Sequence, residues 1–142
     1  MEKTVKTIDG TNLLLGRMCA KIAKLALESD GTINVVNCEK VVISGNKKSI
    51  LERYRHRRER TDPFKGPYFP KKPDMIVKRC IRGMLPYKQP RGLAALKRIR
   101  CYEGAPEELQ GKKMELLDDC NIKNTTIIRY ISVNDISKEL GR

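Results

Sequence analysis

The sequence predicts an α/β domain built around a parallel pair of strands. Residues 4–8 (TVKTI) alternate as a strand does, and residues 13–28 carry apolar side chains at helical spacing. Residues 32–37 (TINVVN) form a short run rich in β-branched residues, typical of a buried strand. A strand, a helix and a strand in this order form a βαβ unit whose two strands pair in parallel. With 142 residues, the chain has the length of about one domain, and we expect residues 1–142 to form a single one.

The first helix has a clear apolar face at helical spacing, made by Leu15, Met18, Ile22 and Leu25. Thr11 or Asn12 is placed to cap its N-terminus, because short polar side chains accept the free amide hydrogens there. Gly31 is placed to end the helix in the left-handed conformation.

A second β-like run at 41–45 (VVISG) precedes a helix over 45–60. Ile50, Leu51 and Tyr54 give that helix an apolar stripe, but no apolar residue follows Tyr54 before Pro63. A helix end that is polar all round needs something outside the fold to hold it. Residues 62–73 (DPFKGPYFPKKP) contain four prolines and a glycine and therefore predict an extended loop. We expect residues 55–73 to be mobile until a partner binds them.

The remaining elements follow from the same patterns. A helix is predicted over 74–85, a short helix over 93–99, a strand over 100–104, a β-rich run over 125–133 and a last helix from 134 onward. In the 74–85 helix, the residues predicted to face inward are Ile76, Val77, Cys80, Ile81 and Met84. Asn134 or Asp135 is predicted to cap the last helix.

The positive charge of the chain is confined to its middle. The net charge is +13, and residues 46–100 hold 18 Lys and Arg against 4 Asp and Glu, whereas the flanks together are close to neutral. Residues 53–60 (RYRHRRER) alone contain five arginines. So local an excess favours a polyanionic partner, nucleic acid before membrane.

Several other classes of protein are not indicated. No stretch approaches the 18 or so apolar residues of a membrane span, and the N-terminus has no secretory pattern. The five cysteines form no C-x-x-C pair and there is one histidine, so we expect no metal site and reduced, mostly buried thiols. His56 lies among arginines and has only Glu52 or Glu59 as a carboxylate to orient it, so no catalytic residue is predicted.

The segment SGNKKS (44–49) follows a strand and opens a helix. Backbone amides in such a place can hold a phosphate, but the segment lacks the glycine spacing of a nucleotide-binding phosphate loop. A helix cap is the simplest interpretation, and contact with an RNA phosphate is the second.

RNA binding explains the basic region better than catalysis does. Arginine presents planar, forked donors that match phosphate and stack on bases. Tyr54, Tyr68, Phe69 and Tyr87 lie inside the basic region and could stack on unpaired bases, although Tyr54 fits core packing equally well.

Several segments resemble the family of large-subunit ribosomal protein thirteen. IRGMLPYKQPRGLAALKRIRCYEG (81–104) resembles the signature region of that family. DGTNLLLGRMCAKIAKLAL, VVNCEKVVISGNKK, GPYFPKKPDMIVKR and YISVNDISKELG resemble its other segments, in order. The loop GPYFPKKP and the closing ISKELG are similar to archaeal and eukaryotic members, and the lack of the long eukaryotic C-terminal extension favours an archaeal source.

The resemblance implies a three-layer α/β/α domain with a small parallel sheet, to which the sequence itself adds a basic helical arm and a proline-rich loop. It implies a cytoplasmic structural constituent of the large ribosomal subunit that binds the major ribosomal RNA, commonly early in assembly, next to other ribosomal proteins. No cofactor, metal, membrane or small-molecule substrate is expected. By match to the family, the expected RNA-binding residues are Asn46, Lys47, Lys48, Arg53, Arg55, Arg57, Arg58, Arg60, Lys71, Lys72, Arg82, Lys88, Arg91 and Arg98. Arg17, in LGR, is either a further RNA contact or an ordinary arginine on the surface of a helix.

Two alternatives of other classes remain open from the sequence. One is an RNA-modifying or nucleotide-dependent enzyme that uses the α/β core as a platform, which nucleotide turnover or RNA modification would reveal. The other is a DNA-coating architectural protein, which would bind any duplex tightly without preferring ribosomal RNA.

Overall fold

The computed structural model describes residues 4–141. The order of strands and α-helices along the chain is β1 (Val5–Asp9), α1 (Leu15–Glu28), β2 (Thr32–Val36), β3 (Val42–Ser44), α2 (Lys47–Glu59), α3 (Pro73–Gly83), α4 (Pro90–Arg98), β4 (Ile99–Cys101), β5 (Tyr130–Ser132) and α5 (Val133–Glu139). Short 3-10 turns lie at Cys38–Lys40, Glu107–Leu109, Asp118–Cys120 and Ile122–Asn124.

Three strands form the predicted parallel sheet, in the order β1-β2-β4. The register pairs Ile8 with Val35 and Ile33 with Ile99, which places these buried side chains on one face. They share one apolar core with the buried residues of α1 and α3. The α/β class and the small parallel sheet are therefore confirmed.

The opposite face of this sheet is covered differently. Val5, Thr32 and Asn34 line a cavity together with residues 106–109, which contain a 3-10 turn. Residues 106–109 therefore cover part of this face of the sheet.

The run at 41–45 does form a strand, but in a second sheet. β3 pairs antiparallel with β5, with Ile43 opposite Ile131. Of the β-rich run 125–133, only Tyr130–Ser132 is a strand. Ile128 is 90% exposed, so the apolar composition of this segment overstated its burial.

Neither predicted cap of α1 is correct. The helix begins at Leu15, and Leu14 before it makes no capping side-chain bond. The turn residues bond to one another instead: the Thr11 hydroxyl donates to Asp9 Oδ1 at 2.7 Å, and Asn12 adopts a φ of 59°. The turn is therefore organised by the carboxylate of Asp9 rather than by the helix end.

The structure also corrects three smaller expectations. Ser29 ends α1 in extended backbone, and a Cβ on Gly31 would lie 2.1 Å from the Thr4 carbonyl oxygen, so the glycine serves a close approach of two chain segments. Ser132 caps α5 by accepting the Asp135 amide at 3.2 Å, in place of Asn134 or Asp135. Met84 follows α3 and is 42% exposed, because the helix ends at Gly83 before bringing it inward.

Candidate nucleic-acid interface

The basic region begins with α2, whose first half is anchored to the body. The Asn46 side chain caps the helix by accepting the Lys48 amide at 3.0 Å. Ile50 is buried, and Leu51 and Tyr54 are half-buried against the core. Burial raises the pKa of Tyr54, as expected for a phenol removed from water.

The second half of α2 contacts the protein itself, contrary to the sequence prediction. Arg55 forms an ion pair with Glu139 of α5. The Arg58 guanidinium donates to the Phe69 carbonyl at 3.0 Å. Arg57 lies over the rings of Tyr54 and Phe69, 5.5 and 5.7 Å from their centroids. The sequence missed these contacts because Phe69 of the proline-rich loop and Glu139 of α5 are distant in the chain, whereas helical periodicity shows only neighbours within one helix.

The proline-rich loop is closed by its own hydrogen bonds. The Gly66 amide donates to the Asp62 carbonyl at 2.9 Å, and the Thr61 hydroxyl donates to the Pro67 carbonyl at 2.9 Å. The Tyr68 hydroxyl donates to the Pro63 carbonyl at 2.9 Å. Phe64 lies at the tip of the loop and is 92% exposed. The loop thus presents an aromatic side chain to solvent next to the basic helix.

A groove continues this surface between the loop and α3. It has a volume of about 400 Å³ and is lined by Tyr68, Phe69, Pro70, Met75, Lys78, Arg79, Arg82 and Leu96. The Arg79 guanidinium lies 4.0 Å from the centroid of Phe69, and that of Arg82 lies 4.7 Å from the centroid of Tyr87. Burial, with a contribution from Arg82, lowers the pKa of Arg79, but a guanidinium remains charged at neutral pH. The groove combines an apolar floor with fixed positive charges.

Seven of the fourteen predicted RNA-binding residues make no side-chain hydrogen bond, ion pair or ring contact within residues 4–141. They are Lys47, Lys48, Arg53, Arg60, Lys72, Lys88 and Arg91, and all of them are exposed. Asn46, Arg55, Arg57, Arg58 and Arg82 make the intramolecular contacts described above. Lys71 is half-buried, and its carbonyl accepts the Ser137 hydroxyl at 2.6 Å.

Arg98 has a role inside the fold. Its Nη2 donates to the carbonyls of Ala26 at 2.7 Å and Ser29 at 3.1 Å, and its Nη1 lies 3.8 Å from a carboxylate oxygen of Asp30. A cation at this place satisfies the free carbonyls at the C-terminal end of α1. The Arg98 guanidinium therefore already binds groups of the protein itself. Of the predicted residues, it is the one least available to bind a phosphate.

Of the eight residues that line the groove, only Arg82 was among the fourteen predicted RNA-binding residues, and the basic residues that the prediction missed are Lys78 and Arg79. The sequence did contain the signal for the two basic ones, because Lys78, Arg79 and Arg82 share the outward face of α3 at a spacing of three and four residues. The spacing of residues within α3 could not predict the contact of Arg79 with Phe69, because Phe69 lies in the preceding loop.

The described residues offer little that suggests catalysis. Within residues 4–141, no three His, Cys, Asp or Glu side chains gather as a metal site. His56 is exposed on α2. None of the helices in this range is long and apolar enough to cross a membrane.

Comparison with known proteins agrees with the resemblance seen in the sequence. The family model of ribosomal protein L13 matches residues 3–108. The chain is 43% identical over 134 residues to a protein of Methanosarcina barkeri named large ribosomal subunit protein uL13, covering 94% of this chain and 96% of that one. It is 42% identical over 135 residues to the uL13 of Archaeoglobus fulgidus, covering 94% and 86% of the two chains.

These relatives are archaeal proteins, and each is named as a ribosomal protein rather than as an enzyme. A uL13 protein of Methanococcoides burtonii is 37% identical over 134 residues, again covering 94% of this chain. Similarity of this extent, together with the matching family model, shows that the chain belongs to the ribosomal protein L13 family.

Proposed function

We propose that this protein is a structural component of the large ribosomal subunit in the cytoplasm, where it binds the major ribosomal RNA beside neighbouring ribosomal proteins. The observation that carries the proposal is one continuous surface, which we call the basic face, formed by α2, the loop 61–72 and the outward side of α3. On it, arginines are held over aromatic rings by contacts within the protein, while exposed Lys and Arg side chains surround them.

The chemistry of the basic face suits folded RNA. Guanidinium groups fixed over rings lose little conformational freedom when they meet a phosphate, and they keep their N–H edges available. Exposed Phe64 and Tyr68 offer flat apolar surfaces to unpaired bases, which are the usual target of RNA-binding proteins. Crowded RNA strands supply the phosphates that such a density of positive charge requires.

We also propose that the protein binds early in assembly, as the family resemblance implies. A protein that neutralises phosphates where RNA strands approach each other stabilises that approach before later components arrive. The expected residues for these contacts are the exposed ones of the predicted set, led by Arg53, Arg60 and Lys72, with Arg79 and Lys78 added from the groove.

Sedimentation tests the proposal directly. The native protein should co-sediment with large ribosomal subunits in a gradient and remain bound at moderate salt. The purified protein should bind large-subunit RNA more tightly than a DNA duplex of equal length under the same salt. Equal binding to both would favour a DNA-coating protein, and turnover of nucleotides or modification of RNA would favour the enzyme alternative.

A further inference from the structure

Four of the five cysteines interact in pairs that the sequence did not reveal. Cys19 lies on α1, which packs on α3, and it interacts electrostatically with Cys80 of α3, as Cys38 does with Cys101 at the end of β4. The Cys19 thiol also lies 3.9 Å from the carbonyl oxygen of Val77, one helical turn before Cys80. All five cysteines are free thiols in the structure. Each pair therefore joins two elements that are distant in sequence.

The two thiols of the first pair differ in access. Cys19 is fully buried in the core, whereas Cys80 is half-buried and borders a cavity of about 210 Å³. The other walls of this cavity are Tyr54, Arg57, Phe69, Pro70, Ile76 and Arg79. A small polar molecule in this cavity thus lies beside Cys80 and beside two arginines, Arg57 and Arg79.

The electrostatics act in opposite directions on the two sulfurs. The interaction between the two thiols lowers the pKa of Cys80, and the charge of Arg57 lowers it further, although burial acts to raise it. The same interaction raises the pKa of Cys19, and burial of Cys19 is the second cause of that rise. Accessible thiols beside positive groups and next to a second cysteine are the ones that oxidants attack.

We propose that Cys80 is a redox modification site: it reacts with a peroxide and is then resolved by Cys19 into a disulfide that ties α3 to α1. In the first step, the Cys80 thiolate attacks one peroxide oxygen, the O–O bond breaks, and Cys80 becomes a sulfenic acid as hydroxide leaves. In the second step, the Cys19 sulfur attacks the Cys80 sulfur, the S–S bond forms, the S–O bond breaks, and water leaves with the proton of Cys19. Two thiols lose two electrons in total, and one hydrogen peroxide becomes two waters.

The second pair provides an internal comparison. Cys38 is fully buried, its pKa is raised by its interaction with Cys101 and by burial, and the nearby charge of Asp74 adds to the rise. Neither of these two cysteines borders the arginine-lined cavity. Cys120 is buried, and no cysteine is among the groups that affect its pKa. Reaction with peroxide should therefore begin at Cys80.

Timed oxidation of the folded, reduced full-length chain tests this inference. The protein is treated with hydrogen peroxide, quenched with a thiol-alkylating reagent under denaturing conditions, and analysed by intact mass and peptide mapping. The expected first product is two hydrogens lighter than the reduced protein, resists two of the five alkylations, and yields a peptide pair linked through Cys19 and Cys80. A first link between Cys38 and Cys101, or no reaction at Cys80 before the protein unfolds, overturns the proposal.

Variants distinguish the role of Cys80, the thiol that peroxide attacks, from that of Cys19, the thiol that forms the disulfide. Cys19→Ala should leave a sulfenic acid at Cys80 that a dimedone probe traps, and Cys80→Ala should leave Cys19 unmodified because that thiol is buried. Arg57→Gln should slow the loss of the Cys80 thiol by roughly two- to fivefold, since it reduces the thiolate fraction. Circular dichroism confirms that each variant is folded. Reaction of Cys19 in folded Cys80→Ala at the wild-type rate would overturn the assignment of Cys80 as the first site of attack.

Discussion

Arg91 and Arg98 lie on the same helix, α4, but only Arg98 has its guanidinium bound to the protein itself. Its hydrogen bonds to Ala26 and Ser29 hold the end of α1 against α4. Arg98→Met should lower the free energy of unfolding by about 1–3 kcal/mol, because the two carbonyls lose a charged donor. Urea denaturation of the free protein measures this change.

Arg91→Met is the matched control on the same helix. Arg91 is exposed and unpartnered within the described residues, so its replacement should change stability by less than about 0.5 kcal/mol. If Arg91 contacts an RNA phosphate as proposed, the variant should reduce the slope of log affinity against log salt by about 0.7–0.9. Equal destabilisation by the two substitutions would contradict the division of roles between them.

The carboxyl group of Asp9, at the end of β1, makes the stability of the protein depend on pH. Burial acts to raise its pKa, but hydrogen bonds from Asn37 and Thr11 outweigh burial and hold the pKa below its ordinary value. A carboxyl whose pKa is lowered by folding stabilises the protein at pH values above its unfolded pKa, and this contribution is lost as the pH falls through the lower folded value.

Replacing Asp9 should therefore flatten the acid limb of the stability curve. Asp9→Asn is expected to lower stability at neutral pH and to leave a smaller difference from the wild type below about pH 4, where the wild-type carboxyl also becomes protonated. Thermal unfolding of both proteins at a series of pH values measures this. A constant difference across the series would show that the charge of Asp9 is irrelevant to folding.

At the scale of elements, the proline-rich loop is more ordered than its composition suggested. The amides of Phe64 and Gly66 have acceptors on Asp62, whereas those of Lys65 and Phe69 have none within residues 4–141. In the free protein, we expect slower amide exchange at Phe64 and Gly66 than at Lys65 and Phe69, and protection of all four in the assembled subunit. Residue-resolved hydrogen exchange measures the difference.

Uniformly fast exchange over 62–73 in the free protein would contradict this expectation. It would mean that the contacts of Arg58 and Arg79 with the loop carbonyls do not hold it without RNA, as composition alone predicted. Uniformly slow exchange, unchanged on assembly, would indicate that the loop belongs to the body of the protein and is not an RNA-binding element.

The elements that could be predicted are those whose signal is local. The apolar spacing of Leu15, Met18 and Ile22 predicted α1, and the prolines of 62–73 predicted the loop, because each signal lies within the element that it predicts. The errors arose where a distant residue decides the local structure. Asn37 helps to fix the turn after β1, and Glu139 and Phe69 hold the end of α2. Both thiol pairs were missed for the same reason.

For the basic face, too, local signals in the sequence were sufficient and contacts between distant residues were missed. Charge density and residue type along the chain were enough to identify the basic region and most of its members. They were not enough to separate Arg98, which serves α1, from the exposed Arg91, or to find the groove that Arg79 forms with Phe69. Those distinctions depend on which side chains already have partners in the fold.

At the scale of the whole molecule, the segregation of charge allows a test of RNA binding that leaves the fold intact. Substitutions at Arg55, Arg57 or Arg58 would also remove contacts with Glu139, Phe69 and Tyr54, so a loss of binding could reflect a disturbed loop. Arg53, Arg60 and Lys72 have no such contacts within the described chain, and all three are exposed on the basic face. They are the positions at which charge can be removed with the least effect on folding.

The triple variant Arg53→Gln, Arg60→Gln and Lys72→Gln should bind large-subunit RNA more weakly and with a flatter salt dependence. If all three contact phosphates, the log–log slope falls by about 2–2.7, from roughly 0.7–0.9 for each contact. The control removes the same charge from the flank by changing Lys112, Lys113 and Lys123, which are also exposed, to Gln. Both variants have the same net charge, so general attraction to a polyanion is reduced equally in the two. An equal loss of slope would mean that net charge alone drives binding, whereas a loss confined to the first variant would locate the contacts on the basic face.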